Sequence, residues 1–193
     1  MKLKEQFRVE AKDRLKSLSS NQRADNSKVI CEKLLNNLLK GERYLAVYAP
    51  FAEEVDISAL YLEHFNSFEL IAFPRFNKSE KAYEMVVVSD LDNDLEMAHY
   101  GILEPKPTLP ELKPDAIEQT CILVPGLAFS KDCTRLGRGK GYYDRILSSP
   151  YHKKIGVAHN AQIMTDLPSE QHDVPMDFVI TEMAQYEHEI LEE

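Results

Sequence analysis

Apolar residues recur along the first forty positions with the spacing of a helix. From Lys4 to Leu18, Phe7, Ala11, Leu15 and Leu18 fall on one stripe with charges between them, the recurrence of an amphipathic helix laid on a core. A second helix is expected from about Asn21 to Lys40, with Val29, Ile30, Leu34, Leu35, Leu38 and Leu39 turned inward. Gly41 stands where such a helix stops, because glycine enters the left-handed closing turn without a Cβ clash.

Beyond Gly41 the rhythm changes to short apolar runs. RYLAVYAPF (43–51) reads as a strand and DISALYLEHF (56–65) as a helix capped by Asp56, whose carboxylate can accept from the first orphan N–H groups. ELIAFPRF (69–76), YEMVVVSD (83–90), TCILVPGLAF (120–129), KIGVAH (154–159) and DFVITE (177–182) are further strands. Several of these runs are almost continuously apolar, as strands covered on both faces are, so a largely parallel α/β sheet is favoured. No helical pattern separates ELIAFPRF from YEMVVVSD, so those two are candidates for an antiparallel pair. Gly101–Pro114 carries four prolines and is expected to be extended and irregular, since each proline removes a donor and restricts its predecessor.

Length and charge narrow the classes. A chain of 193 residues suits a single domain over 1–193 better than two. The formal net charge of −9 argues against a broad grip on nucleic acid, which is driven by neutralising phosphates. Cys31, Cys121 and Cys133 are scattered, so neither a disulfide framework nor a cysteine metal site is expected. MKLKEQFRVEAKDRL lacks the apolar core of a signal peptide, and no apolar run reaches spanning length. The expectation is a cytoplasmic protein, not associated with membrane, and monomeric.

Against that acidic background RLGRGKGYYDR (135–145) stands out, with four basic residues, three glycines and one aspartate in eleven positions. Gly137, Gly139 and Gly141 allow close backbone approach and positive φ. The stretch opens what looks like a helix at YYDRIL, where unpaired N–H groups would face an anion. Arg135, Arg138 and Lys140 add charge, and arginine presents forked donors suited to phosphate. The spacing is neither that of a Walker loop nor that of the dinucleotide fingerprint. For the residues alone, an anion site and a solvated turn both stay open. Asp144 is either ion-paired or a ligand for Mg2+, which takes oxygen donors from one or two carboxylates and from phosphates; HDVPMD (172–177) offers a second carboxylate.

GRGKGYYDR, preceded by VPGLAF and followed by KIGVAH, LPSEQHDVPMD and ITE, closely resembles the 5-formyltetrahydrofolate cyclo-ligase family. The match extends through YAPFAEEVDI and FPRF to the N-terminal KEQFR. The resemblance implies a single α/β domain with a mixed, mainly parallel sheet flanked by helices, akin to the ribose-phosphate isomerase and CoA-transferase group. It implies use of ATP and Mg2+ to convert 5-formyltetrahydrofolate to 5,10-methenyltetrahydrofolate, with ADP and phosphate released. Phosphorylation of the formyl oxygen and ring closure by N10 need no enzyme nucleophile, only alignment and charge neutralisation.

Carried over by position, the resemblance assigns Lys4 and Arg8, and Arg135, Leu136, Gly137, Arg138, Gly139, Lys140, Gly141, Tyr142 and Tyr143, to ATP. Arg138, Lys140 and Tyr142 are the candidate catalytic residues. Glu54 matches a folate-binding glutamate, with Ala49, Phe51, Arg75 and the run Arg138–Tyr142 as further substrate contacts and Pro74 and Tyr83 as cleft candidates. Asp144 and Asp173 match magnesium ligands. His159 stands where the family more often has an aromatic ring, and is expected to be a local variation. Two rivals remain: another ATP-using enzyme on this scaffold, and a nucleotide- or RNA-binding protein.

Overall fold

The computed structural model describes residues 3–98, 101–170 and 173–189. The N-terminal stripe folds into α1 (Lys4–Lys16), with Phe7, Ala11 and Leu15 buried. Ser19 starts α2 (Ser20–Lys33) through a reciprocal cap: its hydroxyl accepts from the Gln22 N–H at 3.2 Å, and the Gln22 side chain accepts from the Ser19 N–H at 2.9 Å. Donors that a first turn leaves orphaned are thereby satisfied. The helical run does not continue as one α-helix to Lys40. It widens into a π-helical turn over Leu34–Leu38, which leaves Leu34, Leu38 and Leu39 in the core. Val29, expected inward, is 39% exposed, because Ile30 and Cys31 take the buried side of α2.

The sheet begins with β1 (Tyr44–Ala46), shorter than the expected 43–51. After α3 (Ser58–Leu62), β2 (Leu70–Asn77) and β3 (Ala82–Val88) form the antiparallel pair that the missing helical pattern allowed. Asp56 is not the cap of α3: Ile57 holds that position, and Asp56 Oδ1 accepts from the Ser58 N–H at 2.9 Å from one residue further back. A short turn, α4 (Leu91–Asp94), leads into β4 (Leu95–Met97), which pairs with β5 (Leu103–Pro105). The proline segment is therefore only partly irregular, and Glu111 within it bridges to Val86. Pro114 opens α5 (Pro114–Ile117), where its missing N–H costs nothing.

The strand β6 (Thr120–Val124) is buried at every position, as a strand covered on both faces must be. It does not run on to Phe129. Pro125 supplies no ladder donor, and the chain leaves the sheet as a ribbon of β7 (Ala128–Phe129) and β8 (Arg135–Leu136). The Phe129 ring needs two glycines beside it: a Cβ on Gly126 would lie 2.8 Å from the ring, and one on Gly156 2.5 Å. α6 (Tyr142–Leu147), β9 (Lys153–Val157), β10 (Phe178–Ile180) and β11 (Gln185–Glu187) complete the chain.

The seven-stranded order is β11-β10-β9-β6-β1-β2-β3. Every pair from β10 to β2 is parallel, and both edges are antiparallel. Alternate residues feed two cores. Leu45, Ile71, Cys121 and Leu123 point into the layer built with Ile30 and Leu34, and Ala46, Ala72, Ile122 and Val124 into the layer with Ile146 and Leu147. Phe7, Ala11 and Leu15 of α1 pack with Leu127, Ala128, Leu136 and Met164 in a third cluster. Because the central strands are parallel, the segments leaving β1, β6 and β9 gather at the carboxyl ends of the strands, the place where open α/β sheets bind ligands. Among the described residues no helix is long and apolar enough to cross a membrane.

Candidate active site

The basic glycine stretch starts inside the ribbon. Leu136 is buried against α1 and its carbonyl accepts from the Leu127 N–H at 2.8 Å, so this residue anchors the loop. Gly139 and Gly141 have φ of +90° and +69°, conformations that a side chain would strain. A Cβ on Gly139 would also meet the Arg8 guanidinium carbon at 3.2 Å. Arg8 lies along this loop and donates from Nε to the Gly137 carbonyl at 3.1 Å. The expected helix opening at Tyr142 is present, but α6 is six residues long, so fixed charges rather than a helix dipole set the local field.

Each cation of the site has a different status. Arg135 is buried and pairs with Asp144, its guanidinium 5.6 Å from the Tyr143 ring centroid. Lys4 reaches Asp173 at 2.8 Å and Glu170 at 3.3 Å. Arg138 pairs with Glu54 at 3.2 Å and lies 5.2 Å from the Phe51 ring centroid. Lys140 is exposed and has no ion-pair partner among the described residues. Both carboxylates expected at magnesium, Asp144 and Asp173, thus already hold a cation.

Glu54 follows β1 in a turn whose own backbone fixes it: the Glu54 N–H donates to Phe51 O at 2.9 Å, and Glu54 Oε2 accepts from the Phe51 N–H at 3.1 Å. The residue is 8% exposed. Burial pushes its pKa up, opposed by the Phe51 N–H and by Arg138. The loop is held from below by Tyr48, whose buried hydroxyl donates to Val55 O at 2.9 Å. Phe51 and Glu54 border a small cleft of about 240 Å3 whose far wall includes Arg23, Ser27 and Asp56. Ala49 is half-buried two residues before Phe51.

A ring cluster closes another side. Phe76 and Tyr83 face each other across β2 and β3 with centroids 5.3 Å apart, and Tyr142 meets Tyr83 at 5.0 Å and Phe76 at 5.9 Å, both edge-on. Such contacts fix the ring of Tyr142 relative to the hairpin. Arg75 lies apart from this group in its bonding. It pairs with Glu84 at 2.6 Å and donates to the carbonyls of Lys106 at 2.7 Å and Leu109 at 3.1 Å. It borders a separate open cleft of about 720 Å3 with Phe76, Glu84, Glu104 and Glu111. Pro74 is buried beside it in β2.

The structure therefore gathers Lys4 with Asp173, Arg8 with the glycine loop, Arg135 with Asp144, and Arg138 with Glu54 and Phe51, while Arg75 serves the hairpin. His172 of the HDVPMD stretch lies outside the described residues. Sequence reasoning missed Phe76, whose place in the ring cluster depends on strand register, and Arg23, which reads along α2 as a solvated charge. His159, two residues past the end of β9, is fully buried, and among the described residues neither ring nitrogen makes a hydrogen bond of full geometry. Burial pushes its pKa down, with Glu182 and the Glu54 backbone opposing that and Arg23 adding to it.

The 5-formyltetrahydrofolate cyclo-ligase family matches residues 1–182. A Caenorhabditis elegans protein named probable 5-formyltetrahydrofolate cyclo-ligase is 30% identical over 93% of this chain and 93% of its own length. The Mus musculus 5-formyltetrahydrofolate cyclo-ligase is 26% identical over 91% of this chain and 92% of its own. Among solved structures, the Aquifex aeolicus 5,10-methenyltetrahydrofolate synthetase superposes with a TM-score of 0.84 at 28% identity, covering 100% of this chain and 96% of that one.

Proposed function

The chain belongs to the 5-formyltetrahydrofolate cyclo-ligase family, and on that premise we propose that it uses ATP and Mg2+ to close 5-formyltetrahydrofolate to 5,10-methenyltetrahydrofolate. The observation that carries this reading is the position of the basic glycine loop. It runs between the α1 cation Arg8, 3.1 Å from Gly137 O, and the buried Glu54, 3.2 Å from Arg138, so a phosphate held on the loop lies beside a carboxylate suited to a folate.

The formyl group of the substrate is a formamide, whose carbon is a poor electrophile and whose oxygen is a poor leaving group. Transfer of the γ-phosphoryl group to that oxygen gives an iminium phosphate and ADP. N10 then attacks the formyl carbon and gives up its proton to solvent or to the departing phosphate, which leaves with the former formyl oxygen as the methenyl ring closes. Negative charge moves from the nucleotide across to the folate during this sequence. The loop must follow it with positive charge in a fixed array.

Lys140, exposed and without a carboxylate partner among the described residues, is suited to the transferring phosphate. Arg8 and the Gly137–Gly141 backbone are suited to the nucleotide phosphates. Tyr142, held edge-on by Tyr83 and Phe76, would present a rigid wall that keeps the formyl oxygen in line. Glu54 would accept paired N–H donors from the pterin, a contact that fixes orientation. Asp144 and Asp173, paired with Arg135 and Lys4 in this structure, would each have to give up that cation to join a magnesium ion that takes most of its ligands from phosphate and water. That ion would neutralise charge on the phosphate oxygens.

Purified protein given Mg2+, ATP and 5-formyltetrahydrofolate is expected to form methenyltetrahydrofolate, followed by its absorbance, and to form none when ATP is left out. Folded protein that forms no product from the complete mixture would sink the assignment.

A further inference from the structure

The ion pair between Arg138 and Glu54 joins two residues that, on the reading above, belong to different substrates. Its two ends are unequally solvated. The Arg138 side chain is 42% exposed and that of Glu54 8%. Phe51 touches both: its N–H donates to Glu54 Oε2 at 3.1 Å, and its ring lies 5.2 Å below the Arg138 guanidinium. No other hydrogen bond within the described residues holds the Arg138 guanidinium, and the next carboxylate, Glu53, is 4.0 Å away and exposed. Arg138 is thus held by one buried charge and is otherwise at liberty to leave.

We infer that this pair couples the two substrates, so that nucleotide phosphate draws Arg138 away from Glu54 and hands the carboxylate to the folate. The proposal rests on the cyclo-ligase reading. Its reason lies in the energetics of a buried carboxylate. Glu54 stripped of Arg138 and left without a new donor is an uncompensated buried charge, the costly way to break such a pair. A nucleotide that binds alone must meet that cost, and a folate that binds alone must displace Arg138 from Glu54. When both bind, the pair is broken once, Arg138 faces phosphate and Glu54 faces the N–H donors of the pterin. Binding is therefore positively cooperative, and linkage makes the effect equal in both directions.

Two measurements on the full chain decide it. By calorimetry, the wild-type affinity for 5-formyltetrahydrofolate should rise about fivefold or more, a typical coupling strength, when a non-hydrolysable ATP analogue and Mg2+ are saturating. The affinity for the analogue should rise by the same factor when the folate is saturating. In Glu54→Gln the pair is weakened beforehand, so the analogue without folate should bind about threefold or more tighter than to wild type, although a folate-site residue has been changed. A Glu54 that only contacted folate, or only supported its loop, would leave nucleotide affinity equal or lower. Wild-type enzyme that makes methenyltetrahydrofolate yet binds the two ligands independently overturns the coupling and leaves the cyclo-ligase reading intact. Unchanged nucleotide affinity in folded Glu54→Gln overturns it as well. Should that variant not fold, the wild-type reciprocity alone decides.

Discussion

Arg75 and Glu84 meet at 2.6 Å with side chains 12% and 16% exposed; Arg138 and Glu54 meet at 3.2 Å with side chains 42% and 8% exposed. The chemistry is the same and the surroundings differ. Arg75 also donates to the Lys106 and Leu109 carbonyls, while Glu84 accepts from Asn77 at 2.8 Å. Every part of that pair is tied to the β2–β3 hairpin or to the proline segment, so it works as a clamp. Arg138 sits on a glycine loop with one buried partner and a ring beneath it, so it can change partners. An arginine–glutamate contact is architecture when both ends are held by other groups, and a candidate for function when one end is not.

The comparison breaks most visibly in activity. Lys140→Ala and Arg138→Ala should each lower kcat/KM by about 10^3-fold, ~4 kcal/mol, the scale of losing a charge-stabilising donor; Lys140→Ala should leave the urea midpoint unchanged, whereas Arg138→Ala, which strands the buried Glu54, should lower it. Near-normal turnover in either folded variant would remove the loop from the chemistry. Arg75→Ala should do the reverse. It strands Glu84 and two carbonyls, and should cost about 3 kcal/mol of unfolding free energy with kcat falling less than tenfold. A stable Arg75→Ala with folate KM raised a hundredfold would show that Arg75 meets substrate after all.

A finer cut is Arg138→Lys. The charge remains but the forked donor and the stacking surface over Phe51 are lost, so kcat/KM should drop about tenfold, ~1.4 kcal/mol, between wild type and alanine. Equality with wild type would mean that only charge matters at that position.

The smallest effect belongs to His159, whose buried ring nitrogens make no hydrogen bond of full geometry among the described residues. His159→Phe removes two buried, poorly satisfied polar atoms and should stabilise the chain by about 1 kcal/mol at pH 5.5, read by urea unfolding. The pH dependence has a definite sign. The folded pKa lies below 6.5, so the unfolded chain takes up the proton first as pH falls. The contribution of neutral His159 is intact above about pH 6.5 and is lost below it. The variant should therefore gain most in acid, and a gain that is flat with pH would contradict the burial of a neutral imidazole.

The legible parts of the molecule are those written in local periodicity or composition. α1 shows because Phe7, Ala11 and Leu15 repeat at helical spacing, and β6 because TCILV is apolar throughout. The glycine loop shows because four basic residues crowd into an acidic chain. What stayed hidden depends on partners far away in sequence. Arg8 finds Gly137 across 129 positions, and Lys4 finds Asp173 across 169. Arg75 reads as a substrate cation until strand register places Glu84 opposite it. The break after Val124 was marked by Pro125 and Gly126, but only the Phe129 ring wedged against Gly126 and Gly156 explains where the chain turns. β11 carries Gln185 and Glu187 on an exposed edge, with no apolar run to announce it.

On the proposed mechanism the loop aligns the γ-phosphoryl group of ATP with the formyl oxygen of the folate. The most direct test labels that oxygen with 18O in 5-formyltetrahydrofolate and follows it through one round of turnover with ATP and Mg2+. The label is expected in the released inorganic phosphate, one atom for each methenyltetrahydrofolate formed. Label appearing in water or formate, with unlabelled phosphate, would contradict the account.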